Sequence, residues 1–171
     1  MADNDLLLIQ TGGTIDKDYP KRKGGYAFEI GDSAVEKIMR TFSPRSSWSF
    51  RTVCRKDSQD ITQEDRGSIL DVCRDSPSTR ILITHGTDTL IETAQFIGSH
   101  RLKKVIVLMG AFLPYAFKGS DAEFNVGFAV GCLQCLAKPG VYVTMGSQVF
   151  DCNEVCRDDV SEEFVKKFTS S

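Results

Sequence analysis

The chain has 171 residues, of which 41% are apolar and 26% are charged, and its formal net charge is -2. These values are ordinary for a soluble globular protein, and one domain covering residues 1–171 is the simplest account of the length. There is no basic run, no interleaved aromatic and basic patch, and no apolar stretch near the roughly 20 residues that cross a bilayer. We therefore expect neither a nucleic-acid partner nor a membrane partner.

The amino terminus and the cysteines predict a reducing compartment. The first five residues, Met-Ala-Asp-Asn-Asp, are acidic and lack the basic start of a secretory signal peptide, so we expect a cytoplasmic protein. Its six cysteines are then expected to be thiols. The spacings Cys132-x-x-Cys135 and Cys152-x-x-x-Cys156 would suit a structural zinc. Because the first pair lies in a predicted apolar helix, where cysteine packs as a small hydrophobe, we predict no metal site.

Apolar patterns predict strands that alternate with helices along the chain. The predicted strands are Leu6–Gln10, Ser47–Val53, Arg80–Thr84, Lys104–Met109 and Val141–Met145. Three of the predicted helices are Asp88–Gly98, Ser120 to about Ala137, and Ser161–Phe168.

The two remaining helices carry start signals and an apolar face. The first follows Asp32, with Ser33 as its cap and Glu36 three residues later; its apolar side chains are Val35, Ile38, Met39 and Phe42. The second starts at Thr62–Asp65 and turns Ile69, Leu70 and Cys73 inward. The alternation predicts an α/β fold, with a mainly parallel sheet covered by helices on both faces. Lys17–Gly25 is polar and is predicted to be a mobile loop.

In open α/β sheets, ligands bind outside the carboxyl ends of the strands. The segments that follow the predicted strands are rich in hydroxyls, carboxylates and glycines. They are Thr11–Thr14, Lys56–Asp60, His85–Thr89, Gly110-Ala111 and Met145-Gly146. We therefore predict the functional site at this edge of the sheet.

Three kinds of chemistry compete for this edge. Glycines after a strand can bind a phosphate through their backbone N–H groups. The sequence contains neither of the nucleotide-binding motifs G-x-G-x-x-G and G-x-x-x-x-G-K-S/T. A metal centre would need several His or Cys side chains, and only His85 is near. Nucleophilic catalysis needs a hydroxyl, a proton acceptor and oxyanion donors, which Thr11, Thr87, Asp88 and the glycine-loop N–H groups could supply. The alternative is that Thr11 has only a structural role and caps a turn.

Two of these segments together resemble the bacterial-type L-asparaginases. The motifs are Thr11-Gly-Gly-Thr-Ile15 after the first strand and Ile83-Thr-His-Gly-Thr-Asp-Thr89 after the third. The similarity spans about residues 5–157 and includes Lys56–Ser58, Glu92–Ala94, Gly110-Ala111 with Pro114, and Gly119–Asp121 with Phe124-Asn125. Family members usually carry a second, smaller C-terminal domain, so the chain looks most like the short-chain, single-domain asparaginases. The resemblance implies the flavodoxin-like or Rossmann-like three-layer N-terminal domain of that family.

The resemblance also implies roles for individual residues in hydrolysis of L-asparagine to L-aspartate and ammonia. Thr11 would attack the side-chain amide and form an acyl-enzyme, and Tyr26 would belong to the loop that closes over it. Thr87 would be the second threonine and an oxyanion donor. The substrate-binding residues would be Gly13, Ser58 and Gln59, with Thr87 and Asp88, where Ser58 takes the α-carboxylate and Asp88 the α-ammonium. No cofactor is implied, and L-glutamine is an alternative substrate.

The chain departs from the family pattern in three places. Arg157 aligns where the family has a lysine, with Lys166 or Lys167 as a less favoured alternative, and arginine does not give up its proton in proteins. Two-domain relatives complete the site with a carboxylate from a neighbouring subunit's C-terminal domain. Phe112-Leu113 stands where many relatives have a polar or basic residue. We expect a homodimer or higher homo-oligomer, and the rival hypothesis is a catalytically weak relative that binds an amino acid or a partner protein.

Overall fold

The computed structural model describes residues 6–19, 27–42 and 47–167. Four helices lie in these ranges: α1 (Ala34–Phe42), α2 (Gln63–Asp75), α3 (Leu90–Ser99) and α4 (Ala122–Cys135). The strands are β1 (Leu6–Gly12), β2 (Lys17–Asp18), β3 (Glu29–Ile30), β4 (Trp48–Lys56), β5 (Arg80–Thr84), β6 (Val105–Met109), β7 (Gly140–Met145), β8 (Gln148–Asp151), β9 (Val155–Arg157) and β10 (Phe164–Lys166). Short 3-10 turns follow β1 and β4, at Thr14–Asp16 and Ser58–Asp60.

The main sheet has six strands in the order β4-β1-β5-β6-β7-β8. The first five pair in parallel, and β8 runs antiparallel to β7 at the edge. Three central strands, β1, β5 and β6, are almost continuously apolar because helices cover them on both sides. The predicted fold class is confirmed.

Each face of the sheet has its own core. On one face, α2 and α3 pack through Ile69, Leu90 and Ile97 against alternate residues of the central strands. On the other face, α1 and α4 pack in the same way through Val35, Ile38 and Val126. Since side chains alternate across a strand, one buried run serves both cores.

Side-chain caps fix the starts of two helices. Thr62 and Asp65 form a complete capping box at α2, as the sequence predicts. At α1, Ser33 Oγ accepts from the Glu36 amide at 3.2 Å. The last predicted apolar residue of that helix, Phe42, is 63% exposed and lies outside the core.

The predicted helix over Ser161–Phe168 is wrong, because this segment forms β10, which pairs antiparallel with β9. The Asp158 carboxylate accepts from the amides of Val160 and Ser161 and holds them in a turn. Glu162 then has a φ of +60°, a left-handed conformation that a helix cannot contain. Burial of Phe164 against the β-sheet core makes the strand the better solution.

The sequence prediction also missed four other strands, β2, β3, β8 and β9. Lys17 and Asp18 pair with Ile30 and Glu29, so the first part of the predicted loop Lys17–Gly25 is a short hairpin strand. Residues 20–26 of that loop lie outside the described residues. No helix in the described ranges is long and apolar enough to span a membrane.

Candidate active site

Three loops meet at the carboxyl edge of the sheet, and glycines let them approach closely. Gly13 follows β1 with a φ of +85°, and a Cβ built on it would collide with the backbone of Gly86, after β5. A Cβ on Gly86 would lie 2.7 Å from the Oγ of Ser58, after β4. A side chain at either glycine would push these loops apart. The loops after β1, β4 and β5 are therefore direct neighbours, as the strand order β4-β1-β5 requires.

Thr11 lies beneath this edge with its hydroxyl turned into the sheet. The residue is 0% exposed, and its Oγ1 donates to the carbonyl of Thr84 on β5 at 2.8 Å. In the described ranges, no carboxylate, imidazole or amine is hydrogen-bonded to this hydroxyl. The Thr11 carbonyl accepts from the Cys54 thiol at 3.3 Å. Burial raises the pKa of Cys54 to about 11, so this sulfur stays protonated. The Thr11 hydroxyl must rotate before it can reach a ligand.

Gly13 supplies room at the edge rather than an unpaired amide. Its N–H donates to the Lys56 carbonyl at 2.9 Å, which joins the loop after β1 to the end of β4. The register of β1 and β4 shifts between Gln10 and Gly12, so the strand end is irregular at this point. An oxyanion donor at Gly13 would therefore have to give up this bond first.

A buried polar cluster supports the strand below Thr11. Gln10 donates through Nε2 to Asp16 Oδ2 at 3.1 Å and to the Gly31 carbonyl at 3.0 Å, and accepts from Thr52 Oγ1 at 2.9 Å. Asp16 Oδ1 accepts from the Ala34 amide at the start of α1, at 2.7 Å. Burial raises the pKa of Asp16 to about 6, although these hydrogen bonds oppose the shift. The cluster fixes the turn that carries the Thr11–Thr14 motif.

His85 is a structural residue in a dry environment. Its Nδ1 is 2.8 Å from the Gly86 carbonyl, which can only accept, so Nδ1 carries the proton. Nε2 accepts from the Thr93 hydroxyl at 2.9 Å, and that hydroxyl in turn accepts from Arg66 Nε at 3.1 Å. Burial lowers the pKa of His85 to about 4, so the ring is neutral near pH 7. Both ring nitrogens therefore have hydrogen-bond partners within the fold.

The polar side chains after β4 and β5 are held together above the sheet. Gln59 Nε2 donates to Asp88 Oδ2 at 2.7 Å, and Thr89 Oγ1 donates to the Ser58 carbonyl at 2.6 Å. Ser58 is buried, whereas the Asp88 side chain is 49% exposed. Thr87, in the loop after β5, is half-buried. The structure thus brings Ser58, Gln59, Thr87 and Asp88 into one cluster with an open side.

Arg157 joins this cluster from β9. Its Nη1 donates to the Thr87 carbonyl at 3.3 Å and lies 4.0 Å from Asp88 Oδ1. The alternative lysines lie elsewhere, since Lys166 pairs with Glu154 at 3.1 Å and Lys167 is exposed on the same strand end. Of these three basic side chains, Arg157 is the one that contacts the cluster.

Two further sequence predictions concern Tyr26 and the cysteine pairs. Tyr26 lies outside the described residues. Cys132 is half-buried and Cys135 is exposed, so the second of these does not pack as a core hydrophobe. Within the described ranges, no group of three or more His, Cys, Asp or Glu side chains is arranged to hold a metal.

Sequence reasoning missed the residues that surround Arg157. Glu162 Oε2 accepts from Arg157 Nη2 at 2.7 Å, and Phe164 lies beside the guanidinium. Both fall in the segment predicted as a helix. The apolar, β-prone pair Phe164-Val165 was the available strand signal, and it is too short to decide between the two structures.

Comparisons with known proteins match the chain to asparaginases. The family model described as "Asparaginase, N-terminal" matches residues 5–170. The Haemophilus influenzae protein named "Probable L-asparaginase periplasmic" is 34% identical over 163 residues, covering 90% of this chain and 46% of the relative. The "Glutaminase-asparaginase" of Acinetobacter glutaminasificans is 26% identical, over 90% of this chain and 50% of the relative.

A solved structure shows the same architecture. The thermostable L-asparaginase from Thermococcus kodakarensis superposes with a TM-score of 0.79 at 27% identity, covering 95% of this chain and 51% of that one. The chain therefore spans about half the length of these relatives. Since the family model matches nearly all of the sequence, and the motif-bearing loops converge at one sheet edge, the chain belongs to the asparaginase family through its N-terminal domain.

Proposed function

We propose that this chain hydrolyses the side-chain amide of L-asparagine to L-aspartate and ammonia. The observation that carries the proposal is the convergence of the loops after β1, β4 and β5, through Gly13, Gly86 and Ser58, at the edge where α/β sheets bind ligands. Family membership supports the same reaction. L-Glutamine is a second candidate substrate, and one relative is named for both activities.

The open cluster suits the charged groups of a free amino acid. Asp88, half-exposed and fixed by Gln59, offers a carboxylate for the α-ammonium. Ser58 and Gln59 offer a hydroxyl and an amide for the α-carboxylate. Charged hydrogen bonds of this kind hold a zwitterion more tightly than neutral ones. An amino acid held there would extend its side chain toward the end of β1.

The proposed chemistry uses Thr11 as the nucleophile. Its hydroxyl leaves the Thr84 carbonyl, and Oγ1 bonds to the amide carbon as the carbon–nitrogen bond breaks, with the hydroxyl proton leaving on ammonia. The Thr87 amide would stabilise the oxyanion. Water then hydrolyses the aspartyl ester and restores the Thr11 hydroxyl. Tyr26 remains a prediction as the residue that closes over Thr11.

Arg157 acts in this proposal as a fixed cation. It holds the Thr87 carbonyl at 3.3 Å and stays protonated, so it can order the loop and balance Asp88 but cannot accept the Thr11 proton. The rival function, amino-acid or partner binding with little turnover, is favoured by one observation. The Thr11 hydroxyl is fully buried on a strand carbonyl, while the proposed binding cluster is already formed.

Ammonia release from L-asparagine and L-glutamine separates these functions. We expect the wild-type chain to release ammonia, and Thr11→Ala to lower the rate by at least about 10³-fold, because the nucleophile is removed. Thr14→Ala, the other hydroxyl of the same motif, is the matched control and should keep its activity. Turnover that survives Thr11→Ala would overturn the nucleophile. No turnover in the wild type, together with calorimetric binding of L-asparagine, would favour the binding protein.

Three further expectations accompany the proposed function. We propose a homodimer or higher homo-oligomer, supported by the apolar groove between α1 and α4, which is lined by Ile38, Val126 and the 63% exposed Phe42. Sedimentation velocity would detect it. The single domain over residues 1–171 and the cytoplasmic location both remain predictions.

A further inference from the structure

The guanidinium of Arg157 rests in a corner made by two aromatic rings. Its central carbon is 5.1 Å from the ring centroid of Phe164 and 5.7 Å from that of Phe112. The two ring centroids are 6.5 Å apart, with the ring planes inclined at 56°. We call Phe112 and Phe164 the aromatic corner. Planar guanidinium groups stack on aromatic faces, and such contacts contribute about 1–2 kcal/mol where water is partly excluded.

The backbone holds both rings of the aromatic corner in place. Phe112 follows β6, and its amide and that of Leu113 each donate to the Asp121 carboxylate at 3.0 Å. Asn125, one turn into α4, donates to the Gly110 carbonyl at 3.1 Å. Phe164 is buried and lies directly opposite Arg157 in the β9–β10 pair. The two rings therefore come from different segments of the chain and lie together beside Arg157.

The polar ends of Arg157 are directed toward the candidate site and away from it. Nη1 faces Thr87 and Asp88, and Nη2 pairs with Glu162 at 2.7 Å. Nε is buried and has no hydrogen-bond partner in the described part of the chain. Hydrogen bonds thus engage Nη1 and Nη2 but not Nε, and the two rings add contacts to the guanidinium group. The side chain is 21% exposed.

We propose that the aromatic corner is a positioning device that fixes Arg157 as a rigid cation against the Thr87–Asp88 loop. Phe112 and Phe164 are positioning residues, which act on the site only through Arg157. The inference deepens the proposed function, on which its kinetic consequences rest. It also explains why arginine suits this site: a lysine ammonium has neither the plane that matches the rings nor the two-pronged group that reaches Thr87 and Glu162 together.

Phe112→Leu is the sharpest variant, because Phe112 is 47% exposed and its truncation should lower the melting temperature by only a few degrees and leave the fold intact. We expect kcat/KM for L-asparagine to fall about tenfold, which corresponds to one lost cation–aromatic contact, and Phe112→Tyr to restore it. Phe124→Leu, an exposed phenylalanine on α4, is the matched control. Arg157→Lys should lower kcat/KM rather than raise it.

A readout that needs no turnover keeps this inference separate from the proposed function. In ¹⁵N NMR, the Nε–H of Arg157, assigned by its loss in Arg157→Lys, should be rigid in wild type and in Phe112→Tyr, and mobile in Phe112→Leu. A mobile Nε–H in wild type, or no change in Phe112→Leu, would overturn the aromatic corner. If the wild type releases no ammonia but the NMR pattern holds, the proposed reaction fails and the positioning role stands.

Discussion

The loops after β1 and β5 meet at the same edge of the sheet but hold their site side chains in opposite states. Thr11 is fully buried and its hydroxyl is engaged by the Thr84 carbonyl. Asp88 is half-exposed and is fixed from the side by Gln59. The half that we propose to bind the charged ends of the substrate is formed in advance, whereas the half that we propose to carry out the chemistry is closed. Binding and turnover should therefore respond separately to mutation.

The closed half can open at small cost. A neutral intramolecular hydrogen bond contributes about 1 kcal/mol net, so a ligand that replaces the Thr84 carbonyl as partner can draw the Thr11 hydroxyl out. The strand itself cannot move so easily, because Leu8 and Ile9 are fully buried in the two cores. The change required is a side-chain rotation rather than a rearrangement of the sheet.

The largest expected effect is on the backbone contact that joins the two halves. Gly13→Ala should destabilise the protein by about 4 kcal/mol, because φ +85° with ψ -176° suits only glycine and the new Cβ would strike Gly86. Gly127→Ala is the control: it lies in α4 with open space at its Cβ, and should stabilise by about 0.5–1 kcal/mol. Urea denaturation measures both. Equal stability of Gly13→Ala and wild type would show that the loops do not touch as described.

The closed half should also carry a pH dependence. With its pKa raised to about 6, Asp16 keeps a proton in the folded state that the unfolded chain has already lost. This contribution to stability is present at low pH and is lost as pH rises through about 6. Between about pH 4 and pH 7, wild type should lose about 2.5 kcal/mol of unfolding free energy relative to Asp16→Asn.

Denaturant melts of wild type and Asp16→Asn across this range give the difference directly. Asp32→Asn, an exposed carboxylate just before α1, is the control and should follow wild type. His85, whose pKa is lowered to about 4, makes the opposite contribution, with stability gained as pH rises toward 6.5. Wild type and Asp16→Asn both keep His85, so the contribution of His85 cancels in the difference between their unfolding free energies. A constant difference at all pH values would contradict a proton on Asp16.

The smallest expected effect belongs to the open half and concerns binding alone. Asp88→Asn should weaken binding of L-aspartate by about 30-fold, or about 2 kcal/mol, because the carboxylate that would face the α-ammonium is lost. Its melting temperature should not change, since the side chain is half-exposed. Asp71→Asn, an exposed carboxylate on α2, is the matched control. Calorimetry and a thermal melt together test it, and unchanged affinity in Asp88→Asn would remove Asp88 from the binding cluster.

The sequence was sufficient for the central fold because continuous apolar runs such as Arg80–Thr84 admit few alternatives. It was insufficient at the edge of the sheet. β8 follows a two-residue turn, Gly146-Ser147, with positive φ at both positions, a hairpin signal that the pattern of buried strands obscured. The strand Phe164–Lys166 depends on a hairpin pairing with β9, seven to eleven residues earlier, which a three-residue pattern cannot reveal.

The candidate site could be predicted to the level of its loops but not of its side chains. The strand-end rule brings the Thr11, Ser58 and Asp88 segments together from spacing alone. The direction of the Thr11 hydroxyl depends on which carbonyl lies beside it in the folded sheet. Likewise, Phe112 and Phe164, which both support Arg157, are 52 residues apart in sequence. Local sequence patterns do not show that two such distant segments meet.

The most direct test that binding and chemistry belong to separate halves of the site is Thr11→Val, which keeps the shape of the side chain and removes its hydroxyl. Thr11→Ser is the control that keeps the hydroxyl. Ammonia release and calorimetric binding of L-aspartate are measured on the same preparations. We predict that Thr11→Val binds L-aspartate within about threefold of wild type but releases ammonia at least about 10³-fold more slowly, while Thr11→Ser stays active. Ammonia release by Thr11→Val, or parallel loss of binding and turnover, would contradict the account.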